Sequence, residues 1–167
     1  MNVIDKLSSM KIYLAFCLIL LYNSFVFAQN KLTYINPTGI YKMGGGIKQG
    51  VKVYGYYGEI YVKLLSRDSI AMSFNICKGE PNYSTGSFID TLLYVNNTAI
   101  YKDASDSCKI VFIFSKFGIK TKDKTVYSKN VLYGNYSNCW GAGVDVDDRF
   151  YKKVSSKKPL IKLMFGE

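Results

Sequence analysis

Three carboxylates fall within four residues at Asp145-Val146-Asp147-Asp148. In an extended segment Asp145 and Asp147 share a side, an oxygen-rich arrangement of the kind a hard cation such as calcium prefers. The EF-hand spacing is missing, with no glycine at the sixth position and no glutamate at the twelfth. A solvated turn is the simpler reading. A facing pair of acids could instead hydrolyse a glycosidic bond. Apart from the terminal residue the only glutamates are Glu59 and Glu80. Neither sits in an aromatic cluster of the kind that raises the pKa of a general acid.

The chain contains no histidine, which removes Ser-His-Asp and Cys-His catalysis, His-ligated zinc and a histidine pH switch. Gly44-Gly45-Gly46 lacks the Gly-Lys-Ser/Thr and the helix that would make it a phosphate cradle, so it reads as a hairpin loop. No catalytic residue, metal or cofactor is expected.

Recognition chemistry is better represented. There are 15 tyrosines, with Tyr54, Tyr56, Tyr57 and Tyr61 in one short region. Strand alternation would stand Tyr54 and Tyr56 on one face with Lys52, and exposed tyrosine beside lysine makes interface anchors or stacks on planar ligands. Tyrosine also suits half-buried sheet surfaces for purely structural reasons. The expected contact surface comprises Tyr54, Tyr56, Tyr57, Tyr61, Trp140, Asp145, Asp147 and Asp148.

The address is written in residues 1–28. A polar stretch with Lys6 and Lys11 leads into the apolar run Ile12 to Tyr22, of signal-peptide rather than membrane-spanning length. Val26 and Ala28 place small residues where a signal peptidase reads, so cleavage is expected after Ala28. Either Met1 or Met10 serves as the start. Cys17 follows Phe16 inside the apolar run, which argues against lipidation. The expected product, residues 29–167, is a single exported domain, periplasmic or secreted, with no transmembrane segment. The chain carries a formal charge of +10; losing Lys6, Lys11 and Asp5 leaves +9, a strong field for a small domain. The expected partner is a protein or an anionic envelope polymer, and export argues against chromosomal nucleic acid.

Export makes a disulfide the natural use of cysteine. Beyond the leader remain Cys77, Cys108 and Cys139. Pairing Cys108 with Cys139 closes a loop of about 30 residues and stabilises by roughly 3 kcal/mol. Cys77 then reads as a buried small apolar residue or an unpaired thiol.

The elements that must position these groups are strands. Helical periodicity is absent after the leader, and period-two alternation recurs. Glu59 to Leu65 and Ile70 to Ile76 form a hairpin about Ser66-Arg67-Asp68. Phe88 to Val95 and Ala99 to Lys102 form another about Asn96-Asn97. Cys108 to Phe114 is apolar on both faces, as a doubly covered central strand would be. Lys120 to Ser128 is polar and alternating, as at an edge. Arg149 to Val154 and Leu160 to Phe165 close the chain, while Gly39 to Met43 and Val51 to Tyr57 flank the glycine turn. About eight to ten short strands, all antiparallel, make a single β-sandwich or small β-barrel.

The C-terminal half resembles small exported bacterial envelope proteins that read Asn-x-Ala-x-Tyr, then Cys-x-Ile/Leu-x-Phe-x-Phe, then Cys, Phe-Gly-x-Gly-Val and Asp-Gly-x-Tyr. The matching residues are Asn97, Ala99 and Tyr101; Cys108, Ile110, Phe112 and Phe114; Cys139; Gly141, Gly143 and Val144; and Asp147 and Tyr151. Trp140 stands where phenylalanine is usual, and Asp148-Arg149-Phe150 replaces a glycine and one further residue. A weaker resemblance is to periplasmic lysozyme inhibitors, which also pair a β-barrel with a disulfide. Such inhibitors meet a cationic lysozyme, so a +9 domain needs a neutral or acidic target or a locally acidic loop such as Asp145 to Asp148.

The expected function is an exported, non-catalytic binding or inhibitor module. A secreted glycan-active hydrolase with a carboxylate pair and a lipocalin-like carrier are the alternatives. The leader reading makes a direct prediction: intact-mass measurement of the product from a secreting host gives a chain beginning at Gln29, and a product retaining residues 12–22 overturns it.

Overall fold

Alternating side chains demand a surface with one apolar face. In the computed structural model, which describes residues 33–104, 108–125, 139–141 and 143–161, that surface is a sheet rolled onto itself. The strands are β1 (Gly39–Met43), β2 (Ile47–Gln49), β3 (Lys52–Tyr54), β4 (Tyr56–Ser66), β5 (Ser69–Lys78), β6 (Thr85–Val95), β7 (Thr98–Lys102), β8 (Lys109–Phe114), β9 (Gly118–Asp123) and β10 (Phe150–Ser155). Eight close an antiparallel barrel in the order β1-β10-β9-β8-β7-β6-β5-β4, while β2 and β3 pair with each other as a separate ribbon. The described residues from Tyr34 onward belong to one compact unit. The expected leader lies outside the described residues, as do 126–128 of the expected polar strand and 162–165 of the expected last one.

Both expected hairpins form. β4 and β5 pair through Tyr56↔Lys78 to Ser66↔Ser69, and β6 meets β7 at Tyr94↔Ala99 and Val95↔Thr98, where Asn96 and Asn97 take positive φ. Their inward residues build the core. Ile60 and Val62 of β4, Ile70, Met72, Phe74 and Ile76 of β5, and Ile110 and Phe112 of β8 are all essentially solvent-free. Phe74 is the hub: its ring lies 5.3 Å from Phe88, 5.4 Å from Phe112, and 6.0 Å from both Trp140 and Tyr151. Towards the other end Tyr41 and Tyr94 pack edge-on against Phe114. Their buried hydroxyls donate to the Pro37 and Ile35 carbonyls at 2.6 and 2.7 Å, so the segment before β1 satisfies them.

Closure corrects four expectations. β8 is not covered on both faces, because Val111 is only half-buried and Ile113 is exposed; each barrel strand has one inner and one outer face. The strand buried on both faces is β5, where Met72 to Cys77 are all buried. The polar segment from Lys120 is not an edge: β9 is hydrogen-bonded to β8 on one side and β10 on the other. Gly44 to Gly46 does not turn a hairpin, because β1 pairs with β4 at Met43↔Gly58 and the chain between them detours into the β2–β3 ribbon. Gly79 lets that ribbon dock: the Gly79 amide donates to Gly55 and the next amide to Val53, so close that any Cβ on Gly79 would collide with the Val53 carbonyl. Finally, Leu160 and Ile161 form no strand, and Leu160 is exposed.

Cys108 is joined to Cys139, with Cα atoms 5.6 Å apart, and Cys77 is a buried free thiol. The disulfide ties Cys139–Gly141 to the start of β8, and Trp140 enters the core beside Phe74, Phe88 and Tyr101. With the partners 31 positions apart in sequence, loop-closure entropy makes the link worth roughly 3 to 4 kcal/mol. Replacing both cysteines by serine is expected to lower the unfolding free energy by about that amount in denaturant titration. A loss under about 1 kcal/mol would mean that the unfolded chain already holds these ends together.

Candidate functional site

The segment from Gly143 to Arg149 turns its apolar side inward. Val144 and Val146 are buried while Asp145, Asp147 and Asp148 are exposed, so Asp145 and Asp147 share a side, as alternation predicts. What fixes the segment is a set of bonds from two strands and from its own Arg149. The Tyr56 hydroxyl, at the start of β4, donates to the Gly143 carbonyl at 2.9 Å and accepts from the Asp145 amide at 3.2 Å. The Arg149 guanidinium stacks 4.0 Å above the Tyr56 ring and also reaches Asp145 Oδ2 at 2.6 Å and the Asp145 carbonyl at 3.0 Å. Thr121 of β9 is the inner anchor. It is fully buried, donating to the Val146 carbonyl at 2.6 Å and accepting from the Arg149 amide at 3.2 Å.

The carboxylates are consumed by this scaffold. Asp145 Oδ1 accepts the Asp147 amide, and Asp147 Oδ1 accepts the Asp123 amide, each at 2.9 Å. Asp148 Oδ1 lies 2.8 Å from Lys120 Nζ and 2.9 Å from Lys122 Nζ. Two of the three acids therefore meet cations, Asp145 with Arg149 and Asp148 with Lys120 and Lys122, while Asp147 holds a backbone amide. Among the described residues no cluster of three acidic, cysteine or histidine groups could hold a metal ion. The loop offers a rigid relief rather than a cation site or a strongly acidic patch.

The expected tyrosine face divides. Gly55, at φ +83°, breaks the alternation between Tyr54 and Tyr56, so the two belong to different strands and do not line one face. Tyr54 is exposed on the ribbon, whereas Tyr56 joins the loop. Tyr57 is half-buried beside Cys77; burial raises the pKa of both groups. Tyr61 donates to Glu59 Oε2 at 2.8 Å, and burial, then that bond, raises its pKa. Trp140 does not belong to any contact surface: it is buried in the core, and its Nε1 has no hydrogen-bond partner. Its place beside Cys139 carried it inward.

Arg149, Thr121 and Lys120 went unread in the sequence. The Asp145-to-Arg149 spacing was available as a charge pair, but Thr121 gave no signal, because its role depends on β9 lying under a loop distant in sequence. The acids of the hydrolase alternative are otherwise engaged. Glu59 bonds to Lys42, and Glu80 lies 2.9 Å from Lys52. No protein-family model matches the chain, and neither do any curated proteins or solved structures.

Hydrogen bonds from Lys120 and Lys122 pull the Asp148 carboxyl from 3.8 down to about 2. A carboxylate with a folded pKa below its unfolded one stabilises the fold above the unfolded value, and loses that effect as pH falls towards the folded value. The Asp148 amide bond to Thr121 O, at 3.1 Å, is expected to persist near pH 4 and to loosen as pH approaches 2, followed by the Asp148 amide NMR resonance. Asp148→Asn should flatten that part of the thermal-stability curve. Superimposable pH curves for parent and variant would remove the carboxylate from the account.

Proposed function

We propose that this chain is an exported, non-catalytic binding module of the bacterial envelope or the space outside it. Its contact surface is the Gly143–Arg149 loop with Tyr56, and its target is a partner protein rather than a small ligand. The observation that carries this reading is the combination of an aromatic-packed core with a braced loop that exposes its carboxylates. Among the described residues Phe74, Phe88, Phe112, Trp140 and Tyr151 pack into the interior, which lends a lipocalin-like carrier less support. The loop, by contrast, is held by side chains from β4 and β9 and by its own ion pairs. Such pre-organisation lowers the entropy lost on binding.

Charge argues against steering towards a cationic lysozyme. The chain is basic overall, and in the loop Asp145 and Asp148 are paired with Arg149, Lys120 and Lys122, so recognition rests on shape and on Tyr56 and Arg149, the residue types that dominate interface energetics. Export rests on residues 1–28, and the Cys108–Cys139 disulfide is compatible with an oxidising compartment. A glycan hydrolase finds less support, because Glu59 and Glu80 face lysines rather than a second acid.

The test is affinity capture with periplasmic extract, peptidoglycan fragments and a panel of lysozymes, each at low and high salt. Capture of one protein at physiological salt is expected. Tyr56→Phe and Asp147→Ala should weaken it about fivefold or more, the loss of at least 1 kcal/mol that marks an important contact. Retention by anionic polymers alone, abolished at high salt, or capture indifferent to both substitutions would overturn the reading.

A further inference from the structure

Where the β8–β9 turn meets β10, the outer wall carries an open groove of about 420 Å³ lined chiefly by Lys116, Phe117, Phe150, Lys152, Lys153 and Val154. Its apolar side chains are unusually accessible. Phe117 is 66% exposed, Val154 51% and Phe150 49%, and Leu160, a few residues past β10, is 76% exposed.

The backbone that presents Phe117 is held by hydrogen bonds. The Ser115 hydroxyl oxygen accepts the amides of Phe117 and Gly118 at 3.3 and 3.1 Å, the Ser115 amide donates to the Gly118 carbonyl, and the Lys153 amide donates to the Phe117 carbonyl, both at 2.8 Å. Phe150 lies across β9 in space that Gly118 leaves open; a Cβ there would stand 2.7 Å from the ring.

Around the rings the charge is all of one sign. Lys116 Nζ sits 4.9 Å from the centre of the Phe117 ring, and Lys152 is exposed on β10 between Phe150 and Val154. Among the described residues neither lysine has a carboxylate partner, whereas Lys42, Lys52, Lys120, Lys122 and Arg149 each have one. Lys157 and Lys158 follow β10 and are exposed as well.

Anchored phenylalanines with an aliphatic continuation and a lysine rim call for a ligand that is apolar and anionic together. A sugar would want carboxylate or amide side chains for its hydroxyls; the groove adds only the hydroxyls of Ser155 and Ser156. Stacked nucleobases would want free ring faces, and Lys116 stands over Phe117. We propose that this face docks onto an anionic phospholipid bilayer. Phe117 and Phe150 enter the boundary between headgroups and acyl chains, and Lys116 and Lys152 lie at the phosphates. This docking is independent of the loop reading, because none of these residues braces the Gly143–Arg149 segment. Success or failure of either reading leaves the other standing.

The experiment is co-sedimentation with vesicles of phosphatidylglycerol and phosphatidylcholine, against phosphatidylcholine alone. The protein is purified as the producing cell leaves it, so any contribution of residues 1–28 is common to parent and variants. Near an anionic surface each lysine multiplies partitioning about fivefold. Lys116→Gln with Lys152→Gln is therefore expected to lower binding to the anionic vesicles about twenty- to thirtyfold, and Phe117→Ala about tenfold. The charge-matched pair Lys48→Gln with Lys63→Gln should cost far less. All these sites are at the surface, and unchanged thermal melting confirms the fold. Equal losses for the two lysine pairs, or no loss for Phe117→Ala, would reduce the binding to bulk charge and overturn the proposal. So would retention on peptidoglycan fragments or a single-stranded oligonucleotide without retention on vesicles.

Discussion

Everything in this molecule depends on β1 pairing at once with β4 and with β10. Tyr41 faces Ile60 across one seam and Lys153 across the other, so the first strand of the barrel zips the last one in place. The ends of that second seam are more than a hundred residues apart in sequence, which makes closure an expensive entropic event that local hairpins cannot drive alone. What drives it is the interior. Phe74, Phe88, Phe112, Trp140 and Tyr151 can surround one another only when the sheet is rolled, and each aromatic pair adds about 0.5 to 1.5 kcal/mol beyond the area it buries. A flat sheet would leave contacts between distant strands unmade and two unpaired edges open to aggregation.

The closed barrel also determines which polar groups are trapped. Tyr41 and Tyr94 reach carbonyls of the segment before β1, and Thr121 reaches the loop carbonyl of Val146, so these buried groups act as fasteners between segments far apart in sequence. Asn75 Nδ2 and Trp140 Nε1 are buried without partners, each a penalty of about 1 to 3 kcal/mol. The tryptophan tolerates that penalty because the disulfide at Cys139 and the ring contacts to Phe74, Phe88 and Tyr101 hold it where its large apolar surface is worth more than one lost hydrogen bond.

Legibility in the sequence follows the range of the interaction. The β4–β5 and β6–β7 hairpins are written in adjacent residues, alternation plus a turn, and so can be read off the chain. The Cys108–Cys139 link is legible from the cysteine count and the expected leader. What is set by closure leaves no local trace: that β9 has two neighbours, that β5 and not β8 is buried on both faces, that Gly44 to Gly46 opens a detour. The candidate site divides in the same way. The shared side of Asp145 and Asp147 is a property of any extended segment, but the partners that consume their oxygens come from Asp123 and Arg149, and the tyrosine that braces the loop comes from β4. Lys116, Phe117, Phe150 and Lys152 look unremarkable in sequence, since they occupy two separate segments that only the β9–β10 pairing brings side by side.

That pairing has a mechanical consequence. β10 begins at the end of the braced loop, directly after Arg149, and its outer row of Phe150, Lys152 and Val154 runs into the basic groove. A strand advances about 3.3 Å per residue, so the loop and the far end of the groove are separated by roughly 16 Å of hydrogen-bonded wall, with no hinge between them. The two surfaces also differ in how they treat charge. In the loop Asp145 and Asp148 are paired with cations and Asp147 accepts a backbone amide, while the groove leaves Lys116 and Lys152 without a carboxylate beside apolar rings. A protein that meets a surface through one and a partner through the other presents that partner at a fixed height and orientation, because a single strand shared by a closed barrel carries both.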